Sequence, residues 1–316
     1  MTPNDTPIVE VKHLTKSFQQ KKALDGLSFD VHAGEILCFL GPNGAGKSTV
    51  INILSTALSY DRGEISFQGE KVENVKARFK RQLGIVPQDL AIYEDVSAEK
   101  NVRFFASLYG LRGKVLNERV AKALAFVGLT ARKNDKPKTF SGGMKRRLNI
   151  ACAIAHEPQV IIMDEPTVGI DPQSRHHILQ SIKQLRKTGT TVIYTTHYME
   201  EVEEISSRIV IIDHGKIIAE GTKQQLKERL AKEKLYRVAV DDVKRVPEDE
   251  LFRIEGVKKV AIKGELIEVA TLAGVENLDK IIVCLMNNGR KINNITSVAP
   301  SLEMVFLNLT GRTLRN

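Results

Sequence analysis

One short stretch constrains the fold more than any other. It runs Gly41, Pro42, Asn43, Gly44, Ala45, Gly46, Lys47, Ser48 and Thr49. The residues before it, 35–40, form an apolar run of strand length, and residues 50–55 open an apolar helix. Strand, glycine-rich turn and helix are the context in which the pattern G-x-x-x-x-G-K-[ST] is a phosphate site. Glycines let backbone N–H groups converge on phosphate oxygens without obstruction by Cβ. The helix N-terminus adds open donors and a partial positive charge. In such a loop Lys47 reaches the β- and γ-phosphates of a nucleotide, and the Ser48 hydroxyl is a ligand for Mg2+.

A chain of 316 residues allows one large or two ordinary domains. With 42% hydrophobic residues, 5% aromatics and no Trp, the core has to be mainly aliphatic. The net charge of +9 suits nucleotides, nucleic acid or an anionic membrane face, but alone it does not choose among them. Cys38, Cys152 and Cys284 are far apart and odd in number, and Cys38 and Cys152 have apolar neighbours, which favours buried thiols at those two positions in a reducing compartment over a disulfide framework. Residues 1–7 look like a loose tail with no signal-peptide pattern. The longest apolar runs, such as 160–163 and 209–212, are strand-length, so a chain of this kind working at a membrane needs another chain to cross it.

Along the chain, residues 8–11 and 27–31 read as strands, the second alternating in period two, and 63–69 reads as a strand between glycine turns. From about 76 to 129 the character is helical; Val102, Phe105, Ala106 and Tyr109 share a helical spacing. Alternation then returns: strands at 160–163, 191–195 and 208–213, helices at 174–187 and 199–206. Repeated βα units predict a mostly parallel, doubly wound sheet. Residues 223–234 read as a charged connecting helix. Strands at 235–240, 257–262, 266–270 and 291–295, with helices at 276–287 and 301–307, predict a small α+β domain. The expected boundaries are therefore 1–222, 223–234 and 235–316.

A second constellation lies at 160–165, an apolar strand ending in Asp164 and Glu165. Such a strand is expected beside the phosphate-loop strand, with Asp164 on the Mg2+. Glu165 is then placed to orient or deprotonate an attacking water. Between the two motifs stand Phe140, Ser141, Gly142, Gly143 and Met144, followed by a convincing helix, so a second helix N-terminus offers open donors to an anion.

Taken in order, these motifs resemble the nucleotide-binding domain of ATP-binding cassette proteins over roughly residues 8–222. The phosphate loop, the Ser141 motif, Asp164–Glu165, residues 169–172 and Thr196–His197 occur in that family's order. The resemblance implies an α/β, P-loop NTPase core with a mostly parallel sheet, antiparallel β and helical subdomains, plus the C-terminal α+β domain. It implies that ATP and Mg2+ are bound, with Phe18 stacking on adenine and Gln88 linking the Mg2+ site to the helical region. Asp171 belongs to the loop that crosses to a partner subunit, and His197 contacts the γ-phosphate. Two copies, or this chain and a paralogous ATPase, pack head to tail, each ATP lying between one chain's phosphate loop and the other's signature, here Ser141, Gly142, Gly143 and Met144. Phe18 stands where Tyr is usual, and the signature ends in Met144 rather than Gln.

Residues 300–312 resemble the C-terminal ending of bacterial drug-resistance exporter ATPases, and Met144 to Arg147 fits the same group. Leu302, Val305, Phe306 and Leu309 make one apolar face that core packing also explains. The expectation is an ATPase subunit at the cytoplasmic face of the membrane, serving a separate permease that docks on an apolar patch near residues 90–109. The alternative is a soluble cassette ATPase of iron–sulphur assembly, repair or translation. Lys47 and Ser141 lie too close in sequence for the long coiled coil of the repair type. Nucleic acid is not an expected partner, because no reading module accompanies the basic residues 145–147. The C-terminal domain carries no motif for chemistry and is expected to brace a dimer or regulate it.

Overall fold

The computed structural model describes residues 6–19, 21–230, 233–298 and 302–310. The expected tail lies mostly outside them, as do residues 231–232 of the expected connecting helix and residues 300–301 and 311–312 of the C-terminal ending. The chain divides at Thr222 and Lys223 into two compact units.

In the first unit, β1 (Val9–Phe18) and β2 (Lys21–Val31) pair antiparallel, and β4 (Arg62–Phe67) and β5 (Glu70–Lys71) extend them into a sheet ordered β2-β1-β4-β5. Both long strands exceed the spans expected from alternation. Register shifts between Val11 and Leu14 and again beyond Leu14, with His13 at φ 48°, change which face each side chain takes. A bulge of this kind erases the period-two signal while leaving the pairing intact.

The second sheet holds β3 (Ile36–Leu40), β6 (Leu83–Val86), β7 (Val160–Asp164), β8 (Thr191–Thr196), β9 (Arg208–Asp213) and β10 (Lys216–Gly221) in the order β10-β9-β3-β8-β7-β6. All neighbours run parallel except the edge pair β10–β9. Every residue of β3, β7 and β8 is buried, as both-face burial by helices demands of parallel strands. The order corrects one expectation: β8 lies between β3 and the Asp164 strand, so the two motif strands are not neighbours.

The helices of this unit are α1 (Lys47–Leu54), α2 (Val72–Arg81), α3 (Ala98–Leu108), α4 (Gly113–Phe126), α5 (Gly142–Ile154), α6 (Pro172–Lys187) and α7 (Met199–Ile205). The stretch expected to be helical from 76 onward is interrupted by β6, too short to show a period of its own. Strand β10 was not expected either. It returns from β9 through His214 and Gly215, whose φ angles of 46° and 73° are those of a tight two-residue hairpin. That turn braces the phosphate loop, the Gly215 N–H donating to the Ala45 carbonyl at 2.9 Å.

The helical layer is fastened to the sheet through β6. Tyr109 stacks on His156 with ring centroids 3.5 Å apart, and its hydroxyl donates to the Leu83 carbonyl at 3.2 Å. His156 Nε2 lies 3.2 Å from the same carbonyl.

The second unit strings β11 (Glu233–Val240), α9 (Glu248–Phe252), β12 (Val257–Lys263), β13 (Leu266–Leu272), α10 (Leu278–Asn287) and β14 (Ile292–Val298) into an antiparallel sheet ordered β12-β13-β11-β14. This is the β-α-β-β-α-β pattern of a split βαβ fold. Its core joins Tyr236, Val238, Ile267 and Val269 to Ile281 and Leu285 of α10. Helix α8 (Lys223–Leu230) packs on α11 (Leu302–Thr310), and Leu226, Leu302, Val305 and Phe306 are all buried. The charged helix ends at Leu230 rather than 234, because Glu233 and Lys234 already pair with β13.

Burial holds the His156 imidazole down at about 4, against an ordinary value of 6.5. The unfolded chain therefore takes up this proton first as pH falls, and the native state loses stability between pH 6.5 and 4. Chemical denaturation across that window should show the slope, and His156→Phe, which keeps the stack, should flatten it.

Candidate active site

The phosphate loop leaves β3 and enters α1 at Gly46, whose φ is 110°. A Cβ there would stand 2.8 Å from the Ala23 carbonyl, and one at Gly41 would stand 2.3 Å from the Ile212 carbonyl, so neither position tolerates a side chain. No side chain caps α1 and its first turn holds no acidic residue. Its leading N–H groups are therefore free for an anion, the condition a triphosphate needs. Asn43 and Gly44 are exposed at the rim, while Ser48 and Thr49 are half-buried on the helix.

Lys47 is 4% exposed. Its ammonium donates to the carbonyls of Gly41 and Pro42 at 2.8 and 3.1 Å and pairs with Glu165 Oε1 at 3.1 Å. Glu165 is also buried, and its other oxygen lies 3.0 Å from His197 Nδ1. The three side chains thus form one continuous polar chain, although their motifs are far apart in sequence. Glu165 has φ 44°, a left-handed conformation that costs a non-glycine residue about 1 kcal/mol or more. Its N–H donates to the Thr195 hydroxyl at 3.0 Å, which holds this turn in place.

Thr195 is the residue that makes the missing strand adjacency immaterial. It pairs with Asp164 in the β7–β8 register, and its hydroxyl donates to Asp164 Oδ1 at 2.5 Å. Asp164 is thereby tied into the same strand ends as Glu165. A hydroxyl carboxylate pair of this kind is invisible in sequence, because it exists only once β7 and β8 are in register. The Ser48 hydroxyl and the Asp164 carboxylate, expected from the sequence to meet Mg2+, are hard oxygen donors of the kind that ion requires. Among the described residues no cluster of three His, Cys, Asp or Glu could hold a metal unaided.

The remaining predicted residues stand on other elements. Ser141 caps α5, its hydroxyl accepting the Met144 N–H at 3.3 Å. Asp171 caps α6, and the Ser174 N–H it accepts at 2.9 Å holds its carboxyl below the usual range. These two caps share a wall: a Cβ on Gly143 would fall 2.1 Å from Ser174 Oγ, so only glycine lets α5 approach α6 this closely. Phe18 ends β1 with its ring 48% exposed and the Lys16 ammonium 5.6 Å from its centroid. Gln88 is exposed, and what the structure fixes is its backbone. Buried Arg146 donates to the carbonyls of Pro87 and Gln88 at 2.8 and 2.6 Å. Sequence reasoning treated Arg146 as part of a basic run; its two-carbonyl clamp emerges only from the packing of α5 under the Gln88 loop.

The ABC transporter family profile matches residues 24–168. The linearmycin resistance ATP-binding protein of Bacillus subtilis (strain 168) is 42% identical over 313 residues, covering 98% of this chain and all of that protein. This chain belongs to the ABC transporter ATPase family. The ABC ATPase is also 40% identical over 228 residues to a doxorubicin resistance ATP-binding protein of Mycobacterium tuberculosis, spanning 72% of this chain and 69% of that one. It is 34% identical to the Nod factor export ATP-binding protein I of Rhizobium sp. (strain N33), over 97% and 98% of the two chains. Among solved structures, an ATP-binding subunit of an ABC transporter overlays with TM-score 0.64 at 31% identity, over 70% of this chain and 92% of that one. A dimeric ATP-binding cassette in a post-hydrolysis state with ADP and Pi overlays with TM-score 0.62 at 27% identity, over 68% and 98%. The ABC ATPase binds and hydrolyses ATP, its fold is the P-loop α/β fold expected, and the comparisons give the soluble, non-transport alternative no support.

Glu165→Gln in the ABC ATPase should cut hydrolysis by about 10² or more while preserving ATP binding, as removal of a general base does. Phosphate release measured against nucleotide binding checks this; turnover within twofold of wild type would assign Glu165 another role.

Proposed function

We propose that this ABC ATPase powers a separate membrane permease that exports a drug, antibiotic or other hydrophobic or amphipathic cargo. The observation that carries the reading is an exposed aromatic patch beside the clamped Gln88 loop. Tyr93, Phe104 and Leu108 are 52%, 43% and 65% exposed, with Leu90 and Val96 at its border. Tyr93 and Phe104 meet edge to face with centroids 5.4 Å apart. The patch is rigid rather than loose: buried Asn101 accepts the Tyr93 N–H and donates to the carbonyls of Tyr93 and Val96. Aromatic surface held in one shape is what a partner helix can dock on. Resistance and export relatives spanning nearly the whole chain support the same reading. No helix among the described residues is long and apolar enough to cross a membrane; in this reading the subunit is peripheral and lies at the cytoplasmic face.

In this reading the phosphates settle on the open N–H groups of α1 and draw Lys47 from Glu165 to themselves. Residues 41–49 and the ring of Phe18 hold the nucleotide. Ser48, Asp164 and Gln88 would hold the Mg2+, which supplies charge neutralisation on the phosphates. Glu165, released from Lys47, keeps its hydrogen bond to His197 and takes a proton from water, while His197 contacts the γ-phosphate. A second copy presents Ser141, Gly142, Gly143 and Met144 to the same phosphate, and Asp171 lies at that boundary. Residues 1–222 make the ATPase domain, and the second unit, which begins with α8, braces or regulates the dimer.

Arg146 and two ion pairs give this reading a route from patch to signature. Lys145 pairs with Glu94 at 2.7 Å and Lys138 with Asp95 at 2.9 Å, so residues 94–95 are tied to the first turn of α5 and to the segment before it. Ser141→Arg should abolish ATP-driven dimerisation and leave ATP binding by the monomer intact. Sedimentation with and without nucleotide checks this, and loss of binding in a folded variant would contradict it. Tyr93→Ser with Phe104→Ser should leave ATP affinity unchanged and remove the subunit from membranes carrying its permease. Full membrane retention of that variant would exclude the patch as the docking site.

A further inference from the structure

A second buried polar group stands at the same strand ends, and the hydrolytic reading leaves it unused. Glu201 on α7 is 1% exposed. A carboxylate so deep has to have its acceptor capacity filled. Thr167 donates its hydroxyl to Oε1, while the Tyr194 and Thr196 hydroxyls donate to Oε2 at 2.8 and 2.7 Å. Burial, then the Glu201 charge, push the Tyr194 phenol well above its ordinary range, so it stays a donor. Arg175 Nε lies 3.7 Å from Oε1, an ion pair beyond hydrogen-bond reach, and the same guanidinium covers the Tyr198 ring at 4.7 Å.

The partners of Glu201 come from the segments that carry the hydrolytic residues. Thr167 lies in the loop between Glu165 and Asp171. Arg175 sits on the first turn of α6, the helix capped by Asp171. Thr196 immediately precedes His197, and its hydroxyl also accepts the Tyr198 N–H at 2.9 Å. Both neighbours of His197 are therefore pinned, through one carboxylate, to the loop that ends at Asp171. A glutamine at 201 would present one acceptor oxygen and two N–H donors to three hydroxyls and an arginine, so at least one hydroxyl would have to turn and accept, giving up the bond it now donates.

We propose that Glu201 is a positioning residue for hydrolysis: it fixes His197 and the Asp171 loop in one register, so that a partner subunit arriving at Asp171 is transmitted to His197 and Glu165. This rests on the roles proposed above for His197 and Asp171. It assigns Glu201 no contact with the nucleotide, so its effect falls on turnover and not on ATP affinity.

The test compares full-length wild type, Glu201→Gln, His197→Ala and the double variant in single-turnover ATP hydrolysis with Mg2+. Affinity is read separately by displacement of a fluorescent ATP analogue, and folding by circular dichroism. Glu201→Gln should slow turnover by about 10- to 100-fold, the cost of a misplaced group, with affinity within about twofold. In the double variant it should add little to the loss from His197→Ala, because the two act as a unit. Turnover near wild type in Glu201→Gln, or losses that multiply in the double variant, would overturn the proposal. Wild-type turnover in His197→Ala would instead remove the assignment on which it rests. If Glu201→Gln does not fold, Tyr194→Phe, which deletes one donor oxygen, should still slow turnover at unchanged affinity, and an unaltered rate would overturn the proposal equally.

Discussion

A buried ammonium has to be matched by negative charge, and much of this site follows from that requirement at Lys47. With 4% of its surface exposed, the lysine takes up the Gly41 and Pro42 carbonyls and the Glu165 carboxylate. Removing one partner of such a pair leaves an uncompensated charge, which costs about 3–5 kcal/mol. A triphosphate can replace Glu165 as counter-charge; a neutral ligand cannot. In the proposed reading, the selectivity for a polyanion and the release of Glu165 are one event: the carboxylate is freed to act on water when the phosphates take its lysine.

The sheet supplies the geometry for this exchange. Parallel strands end on one side, and the turns beyond them bring together groups that are distant in sequence. Asp164 and Glu165 end β7, Thr195 and Thr196 end β8, and Lys47 follows β3. The order β3-β8-β7 puts the threonine strand in the middle, where the Thr195 hydroxyl holds both Asp164 and Glu165 at the end of β7. The strained φ of Glu165 is the local cost of turning its carboxylate back over the phosphate loop. Glu201 lies behind the same ends and connects them to α6. The layout therefore links catalytic chemistry, the Asp171 loop and the Ser141 helix through packed groups; Gly143 against Ser174 is its tightest point.

Much of this was legible in the sequence because the informative signals are local. The phosphate loop declares itself through glycine, lysine and serine at fixed spacing between a strand and a helix. The fully buried strands β7 and β8 stand out as apolar runs, and the βα alternation gives the parallel sheet. What was not legible depends on pairing. The bulge near His13 hid most of β1, and β6 has four residues inside a helical stretch. That β8 separates β3 from β7 could not be read from either motif. The roles of Thr195, Arg146 and Glu201 depend on which carbonyl or carboxylate lies opposite them, and residue type alone gives no hint of it. Phe18 and Gln88 were marked by resemblance, and they stand on separate elements, the end of β1 and the loop after β6.

The account turns on Glu165 competing with phosphate for Lys47. Calorimetry with a non-hydrolysable ATP analogue on wild type and Glu165→Gln tests this most directly, since hydrolysis cannot blur the result. The neutral side chain no longer holds the ammonium, so the variant should bind the analogue several-fold more tightly than wild type. Weaker binding by the folded variant would mean that Glu165 supports the nucleotide rather than yielding to it, and would contradict the account.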